Sequence, residues 1–142
     1  MTLAPRRLTG VRVLYVDDDA DTLGLMAFLL GQAGAAVVAV ASADEAVAAF
    51  DREPPDVLIS DVQMPGRDGW GLIEQVRTWS RARGGKTPAI AVTACRSDAD
   101  IAHSLLSGFD VHLSKPIGEV DELVRTIERL VGRGGISTGV SL

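Results

Sequence analysis

The chain has 142 residues, a net charge of −5, and is 46% hydrophobic and 23% charged, which suits one folded soluble domain with a substantial core. The negative charge argues against binding to nucleic acid, since binding to phosphates needs a basic face. No apolar stretch is long enough to span a bilayer, and the first ten residues do not resemble a targeting signal. The single cysteine, Cys95, excludes an internal disulfide and fits a reducing cytoplasm.

Five short apolar runs alternate along the chain with segments of helical period. The runs predict strands at residues 11–16, 37–41, 57–60, 89–93 and 111–113. Helical spacing predicts helices at residues 23–30, 44–50, 70–79, 97–107 and 120–130. Ile101 and Leu105 mark the fourth helix, with Gly108 as its C-terminal cap. Because several runs are continuously apolar, we expect strands that are covered on both faces.

This alternation predicts an α/β fold, a (βα)5 sandwich around a five-stranded parallel sheet with right-handed crossovers. We expect an N-terminal extension at residues 1–10, one domain at residues 11–131, and a flexible Gly- and Ser-rich tail at residues 132–142. Residues 81–88, which include Gly84 and Gly85, predict a flexible surface loop.

Carboxylates follow two of the predicted strands. Asp17 and Asp18 end the first strand, and Asp61 ends the third. The C-terminal edge of an open α/β sheet is where ligands bind, and clustered carboxylates repel unless a cation or a proton keeps them together. An aspartate before a turn is by itself most often a cap. Asp19 and Asp21 fit that simpler role, as the acidic start of the first helix.

Two further polar residues stand at the ends of later strands, Thr93 after the fourth and Lys115 after the fifth. Together with the three aspartates, in this order, they resemble the receiver domain of two-component response regulators over roughly residues 11–131. The resemblance implies a flavodoxin-like fold with strand order 2-1-3-4-5. It also implies a phosphorelay signalling domain, with no enzymatic activity beyond its own phosphorylation and dephosphorylation.

By this resemblance, Asp61 is the phosphoacceptor and forms an acyl phosphate. The cofactor is Mg²⁺, held directly by Asp18, Asp61 and the backbone carbonyl of Gln63, with Asp17 acting through water. The resemblance further implies that Thr93 hydrogen-bonds a phosphoryl oxygen.

Lys115 is implied to form an ion pair with the phosphoryl group, and its bond to Pro116 to be cis. Receivers often have Tyr or Phe three residues before this lysine, where this chain has His112. His112 is either a switch residue coupled to Thr93 or a partly exposed surface histidine, and the sequence leaves both open. The resemblance also implies that Gln63 and Cys95 occupy positions that tune access of water to the acyl phosphate.

The implied partners are a histidine kinase or a histidine phosphotransfer protein, in the cytoplasm. Output is expected through protein contacts of the fourth helix, fifth strand and fifth helix, because no DNA-binding helix pair follows residue 131. The chain also resembles receivers found within hybrid histidine kinases, so a domain cut from such a kinase stays an alternative.

Three other functions compete. A phosphohydrolase of the haloacid dehalogenase type would use Asp17 as nucleophile with Asp19 two residues on, but Asp21 stands where that family has Thr or Val. A flavodoxin-like cofactor binder would need a Ser-, Thr- or Gly-rich loop after the first strand, where this chain has acids. A receiver-like module without phosphorylation would not need all five positions.

Overall fold

The computed structural model describes residues 6–94, 97–115 and 120–132. Strands and helices alternate through the whole of this part, as the sequence predicts. The strands are β1 Arg12–Val16, β2 Ala36–Val40, β3 Val57–Ser60, β4 Ala89–Thr93 and β5 Val111–Ser114. The helices are α1 Ala20–Gln32, α2 Ala43–Arg52, α3 Gly69–Arg77, α4 Asp98–Ser107 and α5 Val120–Leu130, with a short 3₁₀ helix at Arg81–Arg83.

The five strands form one parallel sheet in the order β2-β1-β3-β4-β5. The predicted fold class and strand order are therefore confirmed. β3 and β4 are buried along their whole length, which explains why their sequences are apolar without alternation. One core cluster packs α2 and α3 against the sheet, and the other packs α1 and α5 against the opposite face.

Polar side chains cap the N-terminal ends of α1, α2, α3 and α4. Asp19 caps α1, and its carboxylate accepts hydrogen bonds from the backbone N–H and hydroxyl of Thr22. These bonds hold the pKa of Asp19 below its ordinary value. At the C-terminal end of α4, Gly108 caps the helix with a φ of 129°, as predicted.

Residues 84–87 differ from the predicted flexible loop. Gly84, Gly85 and Thr87 are buried, and the Arg77 guanidinium reaches into this segment. Its Nη1 donates to the carbonyls of Gly85 and Thr87 at 3.1 and 2.7 Å. The same guanidinium donates from Nε to the carbonyl of Gly108 at 3.0 Å, which ties the segment to the end of α4.

The described part of the N-terminal extension packs against the domain. Leu8 is fully buried, in the core cluster of α1 and α5, and its backbone N–H donates to the carbonyl of Ala33 at 2.8 Å. Arg7 forms ion pairs with Asp121 and Glu128 of α5. Residues 6–10 therefore close one end of the α1–α5 layer.

Candidate phosphoacceptor and metal site

The sheet brings Asp17 and Asp61 to one edge. β1 and β3 are neighbours with Val16 paired to Ser60, so the residues that follow them lie side by side. The pairing continues past the strands, since the backbone N–H of Asp61 donates to the carbonyl of Val16 at 2.9 Å. Both carboxylates thus stand on rigid strand ends at the C-terminal edge of the sheet.

Asp17, Asp18 and Asp61 form one acidic cluster. Each offers a carboxylate oxygen, and these oxygens lie within 4.8 Å of one another. Asp17 is 1% exposed, whereas Asp18 is exposed, so the cluster opens to solvent on one side. Magnesium prefers oxygen ligands and keeps several waters, so three carboxylates at an open edge fit that ion.

Backbone N–H groups fix the orientation of the Asp61 carboxylate. Its Oδ1 accepts from the N–H of Val62 at 2.7 Å and from that of Gln63 at 3.2 Å. Gly69 lies directly against this loop, because a Cβ at that position would be 2.2 Å from the backbone oxygen of Asp61. The backbone N–H of Gly69 also donates to the carbonyl of Val62 at 2.8 Å. The start of α3 therefore sets the position of the loop that carries Asp61.

Lys115 supplies positive charge to the cluster. Its Nζ donates to Oδ2 of Asp17 at 2.7 Å and to Oδ2 of Asp61 at 3.2 Å. Burial lowers the pKa of Lys115, but its contacts with the two carboxylates outweigh burial and leave that pKa above the ordinary value. The ammonium group is therefore retained at neutral pH, next to the carboxylate predicted to react.

Thr93 ends β4 at the same edge and is fully buried. Its backbone carbonyl accepts from the N–H of Lys115 at 2.8 Å, which joins the ends of β4 and β5. The structure thus brings Asp17, Asp18, Asp61, Thr93 and Lys115 to one edge of the sheet, as the sequence predicts. The predicted Lys115–Pro116 geometry and Cys95 lie outside the described residues.

His112 lies below α4 and is half-buried. Its Nδ1 is 2.8 Å from the hydroxyl oxygen of Ser104, and that oxygen also accepts from the indole Nε1 of Trp70 at 2.9 Å. Ser104 and Gly69 were not among the residues that the sequence singled out. A glycine directly after a capping aspartate is a weak signal for close backbone approach, whereas nothing in the sequence identifies Ser104.

Comparison with known proteins assigns the family. Residues 13–128 match the family described as the response regulator receiver domain. The chain belongs to this family. Receiver domains are signalling domains and not enzymes in the ordinary sense, and the haloacid dehalogenase alternative is not favoured. They bind Mg²⁺ at an acidic pocket and interact with histidine kinases or phosphotransfer proteins.

The curated relatives of this receiver domain differ in length. An uncharacterized 14.6 kDa protein of Leptolyngbya boryana is 41% identical over 122 residues, which are 86% of this chain and 91% of that protein. The sensor protein GacS of Pseudomonas syringae pv. syringae is 42% identical over 109 residues, which are 76% of this chain and 12% of GacS. The same domain thus occurs in a short protein and within a long sensor.

Solved receiver domains share the fold. The receiver domain of the sensor histidine kinase PA1611 from Pseudomonas aeruginosa, with a magnesium ion in its active site cleft, has a TM-score of 0.78 and 28% identity, covering 87% of this chain and 99% of that one. The chemotaxis response regulator CheY4 of Vibrio cholerae has a TM-score of 0.77 and 30% identity, covering 86% of this chain and 99% of that one.

In the part of the chain that the structure describes, no helix is long and apolar enough to cross a membrane.

Proposed function

We propose that Asp61 accepts a phosphoryl group from a histidine kinase or a phosphotransfer protein, in a reaction that requires Mg²⁺. The observation that supports this most strongly is the Asp61 carboxylate itself. Two backbone N–H groups hold its Oδ1, while Oδ2 faces the ammonium of Lys115. An oriented carboxylate next to a fixed cation is arranged for nucleophilic attack on a phosphoryl group.

In the proposed transfer, a carboxylate oxygen of Asp61 forms a bond to phosphorus as the bond from phosphorus to the donor's imidazole nitrogen breaks. The imidazole leaves with the electron pair of that bond. Lys115 compensates negative charge at Asp61 and the incoming group, and the buried hydroxyl of Thr93 is proposed to donate to a phosphoryl oxygen. Preorganised positive charge and hydrogen-bond donors are what phosphoryl transfer mainly requires.

The proposed Mg²⁺ ligands are Asp18, Asp61 and the backbone carbonyl of Gln63, with Asp17 acting through a water molecule. The buried Asp17 carboxylate already accepts from Lys115 and from the backbone N–H of Asp19 at 2.9 Å, which suits an indirect role. The exposed Asp18 has room for a direct one. A bound Mg²⁺ would supply positive charge for the phosphoryl oxygens.

We also propose the setting of this reaction. Residues 11–131 form the receiver unit, and the donor is a cytoplasmic kinase or phosphotransfer protein that presents a phosphohistidine. The two kinds of relative, a short protein and a long sensor, support either a separate relay protein or a receiver within a hybrid kinase. His112 and Thr93 are the proposed switch residues, and output would run through protein contacts.

The test is phosphorylation by a small phosphodonor with and without Mg²⁺, comparing Asp61→Asn with Asp17→Asn. We expect a hydroxylamine-sensitive label that is abolished in Asp61→Asn and reduced in rate in Asp17→Asn. Asp21→Asn is the matched control, because Asp21 is an exposed carboxylate at the start of α1 that takes no part in the cluster. Full labelling of Asp61→Asn would contradict the proposal, and loss of label in Asp17→Asn alongside it would point to Asp17 as the nucleophile.

A further inference from the structure

A buried hydroxyl joins three elements next to the site. Ser104 of α4 is fully buried, and its oxygen is 2.9 Å from Nε1 of Trp70 at the start of α3. The same oxygen is 2.8 Å from Nδ1 of His112 on β5. Trp70, Ser104 and His112 therefore form one hydrogen-bonded chain under α4, which we call the Trp–Ser–His chain.

The hydrogen-bonding capacity of these groups explains why a movement in one part of the Trp–Ser–His chain affects the rest. An indole N–H only donates, so Ser104 must accept from Trp70. A hydroxyl keeps one donor and one further acceptor site, and it can satisfy Nδ1 of His112 in either tautomer. A movement of His112 therefore changes a bond of the hydroxyl that holds Trp70. Because the hydroxyl is buried, no water is at hand to replace a lost partner, and such a movement is costly.

Each end of the Trp–Ser–His chain lies next to an element that carries a residue of the phosphoacceptor site. His112 is paired with Ala91 on β4, so its side chain lies on the same face of the sheet as that of Thr93, two residues further on. Trp70 follows Gly69, which packs against the backbone of Asp61. A change at Thr93 can therefore reach His112 at one end of the Trp–Ser–His chain, and a change in the Asp61 loop can reach Trp70 at the other.

We propose that Ser104 is a positioning residue that couples the phosphorylation state of Asp61 to Trp70 through His112. This inference rests on the proposed function and extends it to a surface. Trp70 stacks on His103, with ring centroids 3.6 Å apart and planes inclined by 21°. His103 is exposed on α4, so the hydrogen bonding of the Trp–Ser–His chain determines the shape of the surface between α3 and α4.

The sequence has two tryptophans, so Trp79→Phe leaves Trp70 as the single fluorescent tryptophan. In that background we expect Mg²⁺ with beryllium fluoride, a non-transferable phosphoryl analogue, to shift the emission of Trp70 and its quenching by iodide. Adding Ser104→Ala is expected to abolish this shift while Asp61 still takes a label from a small phosphodonor. Ser104→Thr, which keeps the hydroxyl, is expected to restore the shift.

Ser107→Ala is the matched control. Ser107 is a buried serine of the same helix, but its hydroxyl bonds to Glu74 and not to a member of the Trp–Ser–His chain. It is expected to keep the shift. If Ser104→Ala does not fold, His112→Leu removes the same bond and is expected to lose the shift as well. A shift of parental size in Ser104→Ala or His112→Leu overturns the coupling, and so does an unchanged Trp70 emission when Asp61 carries label. Absence of label on parental Asp61 is a different result, which refutes the phosphoacceptor proposal and the coupling with it.

Discussion

Replacing Lys115 with Met tests the charge balance of the acidic cluster. Met keeps the unbranched shape of the lysine side chain, one atom shorter, and removes its charge, so packing is largely kept. Asp17 is 1% exposed and the Lys115 side chain is 23% exposed, so solvent screens their contact only partly. The substitution leaves the buried Asp17 carboxylate, with Asp61 beside it, without their cationic partner.

The distances from Lys115 Nζ to the two carboxylates set the size of the expected loss of stability. At an effective dielectric constant of about 20, unit charges at the 2.7 and 3.2 Å contacts of Lys115 attract by about 6 and about 5 kcal/mol. Desolvation of the ammonium and of the carboxylates offsets much of this, and breaking such a pair typically costs about 3 kcal/mol or somewhat more. For a domain of this size, about 3 kcal/mol corresponds to a Tm lower by roughly 10 °C.

The assay is thermal and urea unfolding of parent and Lys115→Met, each with EDTA and with saturating Mg²⁺. We expect the full loss of stability in EDTA and a smaller loss in Mg²⁺, because the ion supplies positive charge to the same carboxylates and stabilises the folded state that binds it. Replacing a whole buried ion pair by apolar residues stabilises some proteins, whereas removing one partner leaves the other charge buried and uncompensated. A Lys115→Met protein that is as stable as the parent in EDTA would therefore refute our account of the cluster.

Three further predictions follow from single contacts. Burial next to Asp17 and Asp61 raises the pKa of Tyr15, so the unfolded chain loses the phenol proton first and the free energy of unfolding should fall as pH rises above about 10. The raised pKa of Lys115 contributes to the same alkaline slope, so Tyr15→Phe should reduce the slope, and not remove it, in urea unfolding at several pH values. Gly69→Ala should destabilise the protein by about 2 kcal/mol and slow labelling, because the new Cβ meets the Asp61 backbone, whereas Gly24→Ala, a helix position with open space, should stabilise it by about 0.5–1 kcal/mol. Arg77→Met should cost about 2 kcal/mol or more in chemical unfolding, because it leaves buried carbonyls without a donor.

Each of these predictions has an outcome that contradicts it. An unchanged alkaline slope in Tyr15→Phe would show that another group titrates. Equal effects of Gly69→Ala and Gly24→Ala would show that helix propensity, and not the close approach to Asp61, decides both. An Arg77→Met protein with the same free energy of unfolding as the parent would show that the segment at residues 84–87 does not depend on the guanidinium.

The sheet and the acidic edge were predictable from sequence because their signals are local. Strands buried on both faces are apolar without alternation, and β3 and β4 are such strands. Parallel strands deliver their C-terminal residues to one edge, so polar residues after several strands must meet there. That rule placed Asp17, Asp61 and Lys115 together, and the structure joins all three through one ammonium group.

The interior of α4 could not be predicted in the same way, because its burial does not follow hydrophobic spacing. Leu105, which marked the helix in the sequence, is 47% exposed, whereas Ser104 next to it is fully buried. The reason lies on other elements: the indole N–H of Trp70 needs an acceptor and His112 needs a partner, and a buried hydroxyl satisfies both. These partners are 34 and 8 residues away, so no periodicity within α4 reveals them. His112 was ambiguous in the sequence for the same reason, since the serine whose hydroxyl it contacts resembles a surface residue of an amphipathic helix.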